Sequence, residues 1–240
     1  MPALVVEQLI AGYGTKVLLR NLSFELPHPA FLAIIGHNGA GKSTLFRVLS
    51  RQLSFVGKVF VQGTDLVTLS NPAASGQLAL LPQQNPVAFP VTVRELVVMG
   101  RFRQRRFFQS YSAADYRLAD AALEGLGIAH LANAPFSELS GGEQQLGWLA
   151  QLTVQEAPLL LLDEPTQHLD VFHKKRVFEW MQVWVASGKT VLCITHDLPY
   201  LAGMNGFLLN LSQESPQLAP LSPERIRYHT QWLEESPRRR

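Results

Sequence analysis

The stretch Gly36-His37-Asn38-Gly39-Ala40-Gly41-Lys42-Ser43-Thr44 carries the most specific chemistry in the chain. It fills the pattern Gly-x-x-x-x-Gly-Lys-Ser/Thr. Glycines there let successive backbone N–H groups turn inward on phosphate oxygens. A helix beginning near Lys42 would add its positive end to the same anion. Lys42 is placed to reach the β- and γ-phosphates of a nucleoside triphosphate, and the Ser43 hydroxyl to ligate Mg²⁺. An ordinary Gly-rich turn is the alternative. The apolar run before the loop and the helical pattern after it favour the phosphate loop.

A second acidic constellation fits beside it. Four leucines, Leu159 to Leu162, precede Asp163 and Glu164. A rigid buried strand would present Asp163 at its C-terminal edge, where it holds Mg²⁺ directly or through a water. Glu164 is the general base or polariser for an attacking water. Alone, the pair reads equally as an acidic turn before Pro165. The phosphate loop elsewhere in the chain decides against that.

These groups need elements to hold them. Residues 3–10 and 16–26 alternate apolar and polar and break at Gly12-Tyr13-Gly14, which predicts an antiparallel pair. Ala30 to Ile35 is a buried strand feeding the loop, and Lys42 to Leu53 a helix. Val56–Val61 and Gln77–Leu81 are further strands. After the turn-rich Pro82-Gln83-Gln84-Asn85-Pro86 come only helical patterns. Thr92 and Glu95 form a capping box with Val91 and Leu96 as its staple, and Ser112–Leu126 and Ser140–Gln155 follow as helices. Strands return at Leu159–Asp163 and Lys189–Thr195, separated by a helix over 171–186 that stops at Ser187-Gly188. Strands alternating with helices imply a largely parallel sheet. The expected organisation over 1–240 is one unit, with an α/β core in 1–82 and 158–240 and a helical subdomain in 83–157. The terminal Ser236-Pro237-Arg238-Arg239-Arg240 reads as a frayed, solvated tail.

Composition narrows the partners. A net charge of +2 is too mild for a nucleic-acid binder, and 17% charged residues is sparse against the roughly 25% of average chains. A covered patch or a thick buried parallel sheet explains that equally well. The single Cys193 lies in an apolar strand and demands no oxidising compartment. The opening Met1-Pro2-Ala3-Leu4-Val5-Val6-Glu7 lacks the pattern of a signal peptide, and no apolar stretch is long enough to span a bilayer. Any membrane role is therefore expected to run through another chain.

Taken in order, the motifs resemble those of ATP-binding cassette (ABC) proteins over nearly the whole chain. Leu139-Ser140-Gly141-Gly142-Glu143 resembles the family signature Leu-Ser-Gly-Gly-Gln, Asp163-Glu164 its Walker B pair and His168-Leu169-Asp170 its D-loop. His196 matches the switch histidine, Gln83 the Q-loop glutamine and Tyr13 the aromatic that stacks on adenine. The resemblance implies an α/β fold: a P-loop NTPase core with a mainly parallel sheet, an N-terminal antiparallel β subdomain and an inserted helical subdomain. It implies ATP and Mg²⁺ as cofactors. Residues 36–44, Tyr13, Gln83, Ser140 to Glu143 and Asp170 would contact nucleotide, Ser43, Gln83 and Asp163 the metal, and Glu164 and His196 would carry catalysis.

Each residue has an ordinary reading too. Tyr13 suits a hairpin tip, Gln84 competes with Gln83, and His196 suits a core histidine before Asp197 as a helix cap. Ser140 and Glu143 form a capping box whatever else they do. Glu143 departs from the usual Gln, and a carboxylate near phosphate is uncomfortable unless it turns back into the cap. Leu146 stands where the family often has Arg, and the missing ion pair would loosen the helical subdomain.

One phosphate loop and one signature make two half-sites, which implies a head-to-tail homodimer. The resemblance further implies a separate polytopic permease, a peripheral place on the cytoplasmic face of the membrane and, for an importer, a substrate-binding protein. The segments 89–101 and 159–170 resemble importers of iron chelates, haem and cobalamin. Zinc or manganese importers, and soluble non-transport members, are the alternatives. The run Arg101-Phe102-Arg103-Gln104-Arg105-Arg106-Phe107-Phe108 reads as a solvated basic loop first and a permease or lipid contact second.

Overall fold

A computed structural model describes residues 1–69, 71–82, 90–104 and 109–235. Gln83, Arg105 to Phe108 and the 236–240 tail lie outside the described residues, as do the expectations attached to them.

Strands β1 (Leu4–Tyr13) and β2 (Lys16–Leu26) pair antiparallel around a turn at Gly14 and Thr15. After β3 (Phe31–Ile35) and α1 (Lys42–Leu49) come β4 (Val56–Val61) and the short β5 (Thr64–Asp65). Strand β6 (Leu78–Leu81) precedes the helices α2 (Val93–Val98), α3 (Ala113–Gly125) and α4 (Gly141–Thr153). The chain then runs through β7 (Leu159–Asp163), α5 (Val171–Ala186), β8 (Thr190–Ile194), β9 (Phe207–Asn210), β10 (Ala219–Pro220) and α6 (Pro223–Glu235).

Two sheets result. One is antiparallel, in the order β2-β1-β4-β5. The other has the order β10-β9-β3-β8-β7-β6, parallel throughout except for β10. Its central strands are continuous apolar runs because both faces are covered. Phe31, Ala33, Leu160, Leu162, Val191 and Cys193 join the core shared with α2 to α5. Their neighbours Leu32, Ile34, Leu159, Leu161, Leu192 and Ile194 join the core shared with α1 and the antiparallel sheet. Parallel order aligns the C-terminal ends of β3, β7 and β8 on one edge, the usual place for a ligand in such sheets.

Helix α1 is shorter than its sequence suggests. It stops at Leu49 because the Ser50 hydroxyl donates to the Phe46 carbonyl at 2.8 Å and Arg51 turns left-handed at φ 57°. Thr92, Ser112 and Ser140 all close reciprocal capping boxes, with Glu95, Asp115 and Glu143. The basic run is not a solvated loop at its start. Arg101 is half-buried between Asp115 at 3.1 Å and Glu156 at 2.6 Å and also donates to the Val154 carbonyl. Phe102 beside it is 68% exposed.

Candidate functional site

The phosphate loop leaves β3 at Gly36 and enters α1 at Lys42. Gly36, Gly39 and Gly41 all hold positive φ, at 146°, 83° and 98°. Gly41 caps α1 without a side chain, and the first intrahelical bond runs from the Leu45 N–H to the Gly41 carbonyl. The N–H groups of Lys42, Ser43 and Thr44 therefore fall in the turn whose donors need an outside acceptor. The Lys42 ammonium donates to the carbonyls of Gly36 at 2.6 Å and His37 at 3.1 Å. Burial lowers its proton affinity, while Glu164 and Asp163 oppose that shift.

Asp163 ends β7 near Ser43, whose hydroxyl favours the charged carboxylate. Burial raises its pKa and Ser43 pulls it back. Two hard oxygen ligands thus share one point beside the loop, a donor set suited to Mg²⁺. Glu164 is left-handed at φ 51°, an uncommon conformation for a non-glycine residue. The kink breaks strand alternation and lets its carboxylate turn back toward the site. Its Oε1 lies 3.4 Å from His196 Nε2 at the end of β8. Burial and the nearby Lys42 lower the His196 pKa, while Glu164 acts in the other direction. Asp197 caps no helix with its side chain. It accepts instead from Thr166 at 2.6 Å and Lys174 at 2.7 Å, tying β8 to the segment after Glu164.

Tyr13, at the end of β1, is 41% exposed. Its hydroxyl accepts from Arg47 at 3.0 Å, and that guanidinium also lies 5.6 Å from the ring centroid. The sequence reading had no role for Arg47. Its place one turn past Ser43 on α1 was the available signal.

Ser140, Gly141 and Gly142 form a separate cluster at the start of α4. A side chain at Gly142 would meet the His168 carbonyl at 3.3 Å and Leu169 at 3.4 Å, so signature and D-loop pack together. Glu143 does turn back: its Oε2 accepts from the Ser140 N–H at 2.9 Å and hydroxyl at 2.6 Å. Those two bonds hold its pKa low. Asp170 caps α5, accepting from the His173 N–H at 2.8 Å. Among the described residues, no hydrogen bond, ion pair or ring contact joins Ser140, Gly141 or Gly142 to residues 36–44. Leu146 is buried in the helical core, so apolar packing stands in place of the missing ion pair. The adjoining Gln145 adds a link to the active edge, donating to the Pro165 carbonyl at 3.0 Å.

The His37 N–H is already committed to Ser212 Oγ, at 2.7 Å. Sequence reasoning missed Ser212 and the whole C-terminal segment that carries it. No helix among the described residues is long and apolar enough to cross a membrane.

Residues 19–167 match the ABC transporter family. The chain is 35% identical over 215 residues to the Iron(3+)-hydroxamate import ATP-binding protein FhuC of Bacillus subtilis (strain 168), covering 89% of this chain and 80% of that protein. It is 35% identical over 222 residues to the Ferric enterobactin transport ATP-binding protein FepC of Escherichia coli (strain K12), covering 92% and 82%. A metal-chelate type ABC transporter solved in an inward-facing conformation matches with a TM-score of 0.77 and 28% identity, over 97% of this chain and 88% of that one. The ATP-binding cassette MJ1267 matches with a TM-score of 0.79 over 98% and 100%, a likeness of fold alone at 21% identity. With the phosphate loop, the Asp163-Glu164 strand end and the capped signature helix in this order on this fold, the chain belongs to the ABC transporter family as one of its ATP-binding domains.

Proposed function

We propose that the chain hydrolyses ATP as a head-to-tail homodimer and drives a separate membrane permease that imports iron-siderophore complexes. The observation that carries the reading is the division of the site. Lys42, Ser43, Asp163, Glu164 and His196 converge on one sheet edge, while Ser140 to Gly142 form a distinct surface beside the D-loop. A second copy supplies the missing face by two-fold symmetry.

In this reading the loop N–H groups and Lys42 bind the β- and γ-phosphates, and Tyr13, held by Arg47, stacks on adenine. Ser43 and Asp163 would hold Mg²⁺, which would supply charge neutralisation on the phosphate oxygens. Glu164 orients the attacking water and accepts its proton. His196, with its Nε2 3.4 Å from the Glu164 carboxylate, helps to hold that carboxylate at the same point. Ser140 and the α4 N-terminus of the partner copy face the γ-phosphate. Gln83 joins nucleotide, metal and the permease contact. Nucleotide bound by both chains favours the closed pair, and hydrolysis removes that differential affinity.

Residues 83–157 act in this scheme as the helical subdomain, and residues 1–82 and 158–240 as the catalytic core. The chain sits on the cytoplasmic face of the membrane through its permease, with a substrate-binding protein completing the importer. The cargo class rests on kinship with FhuC and FepC. Lys42→Ala should abolish Mg·ATP binding in a calorimetric titration, and retained micromolar affinity would contradict the phosphate-loop assignment. Affinity purification should bring down a polytopic membrane protein. Recovery on ribosomes or DNA would move the chain to the soluble class.

A further inference from the structure

The C-terminal part of the chain reaches back to the first turn of the phosphate loop. Asn210 ends β9 and pairs with Ile35, the residue before Gly36. Its side chain and that of His229 on α6 are buried, at 1% and 6% exposure. A buried amide and a buried imidazole are costly unless each finds a partner. They find each other, with Asn210 Nδ2 and His229 Nδ1 3.2 Å apart. Asn210 Oδ1 accepts the Ser212 N–H at 3.0 Å. That bond fixes the polarity of the chain. The amide oxygen accepts, so Nδ2 donates, and His229 Nδ1 must be the unprotonated nitrogen of a neutral ring. Burial lowers the His229 pKa, in keeping with that tautomer.

Ser212 Oγ then accepts the His37 N–H at 2.7 Å. It also lies 2.9 Å from where a Gly36 side chain would start, so it packs directly on the loop. On the same helix as His229, Trp232 sets its ring 5.1 Å from the His37 ring. The Gly36–His37 peptide held in this way carries the Gly36 carbonyl that takes the Lys42 ammonium at 2.6 Å, and the next carbonyl, that of His37, takes it at 3.1 Å.

We infer that Asn210, Ser212, His229 and Trp232 form a brace from α6 that positions the first turn of the phosphate loop, and through it Lys42, for nucleotide. The inference rests on the reading of that loop as the ATP site. These are positioning residues: the proposal has them act on the nucleotide only through the loop. Losing the brace should weaken ATP binding and spare turnover, whereas a mere anchor for α6 would alter stability alone.

The test is steady-state Mg·ATP hydrolysis by full-length variants, with melting temperatures in parallel. His229→Leu removes the acceptor, and half-saturating ATP should rise about fivefold with kcat within about twofold, the effect of one lost hydrogen bond. His229→Gln keeps an amide oxygen to accept from Asn210 and should return toward wild type. Ser212→Ala should raise half-saturation similarly and Ser212→Thr should not. If His229→Leu fails to fold, the Ser212 pair decides. Wild-type half-saturation in Ser212→Ala, or equal damage from Ser212→Ala and Ser212→Thr, overturns the brace. A wild-type protein with no Mg·ATP affinity overturns the phosphate-loop reading instead.

Discussion

Glu143→Gln should act on stability and on nucleotide with opposite signs. The carboxylate accepts two bonds from Ser140 and stands in the first turn of α4. A glutamine oxygen can keep both bonds, but the charge that complements the helix terminus is lost. That term is about 0.3–1 kcal/mol, or a fall of roughly 1–3 °C in melting temperature for a chain of this size. In the proposed head-to-tail pair the same carboxylate, though turned into its cap, would stand near the γ-phosphate held by the other copy. For an assumed separation of about 7 Å and an effective dielectric of 20–80, two unit charges repel by roughly 0.6–2.4 kcal/mol, cut by salt to about 0.3–1 kcal/mol. Half-saturating ATP should therefore fall about two- to fivefold in the variant, and the gain should shrink as salt is raised. The assay is hydrolysis against ATP concentration at low and high ionic strength, beside a thermal melt. A rise in half-saturating ATP would refute the reasoning, because the carboxylate would then be assisting the phosphate rather than opposing it.

Leu146→Ala should destabilise by about 2–5 kcal/mol in a denaturant melt, because the side chain is buried among the helices. A change below about 1 kcal/mol would mean that this packing does not replace the ion pair. His196 and His229 are both held below the ordinary histidine pKa of 6.5, chiefly by burial. Unfolding frees both rings to take up protons, so their contribution to stability is complete above about pH 6.5 and declines as pH falls through it. Melting temperature between pH 7.5 and 5.5 should drop less in His229→Gln than in wild type, and equal slopes would contradict the assignment.

The sequence was most legible where chemistry and local structure coincide. The phosphate loop, Asp163 at its strand end and the capping boxes of Thr92 and Ser140 rest on short patterns whose spacing is fixed by backbone geometry. Helix α5 runs from Val171 to Ala186, as its cap and Gly188 imply. What escaped was long-range. Strand β9 has four residues, and helix α6 is mostly polar in composition. Its one local signal was Ser222 before Pro223, which caps it through Arg225 N–H at 3.2 Å. Nothing local links Asn210 to His229 or Ser212 to His37, since those bonds exist only once β9 lies beside β3. Arg101 misled for the same reason: its partners Asp115 and Glu156 are 14 and 55 residues away.

The claim that two chains complete each site is tested most directly by Glu164→Gln in sedimentation velocity. The substitution keeps the shape of the side chain beside His196 and removes the base, so nucleotide should bind without being cleaved. With saturating Mg·ATP the variant should sediment at twice the mass of the chain and return to monomer when ATP is removed. A monomer at every ATP concentration, with binding intact by calorimetry, would contradict the account.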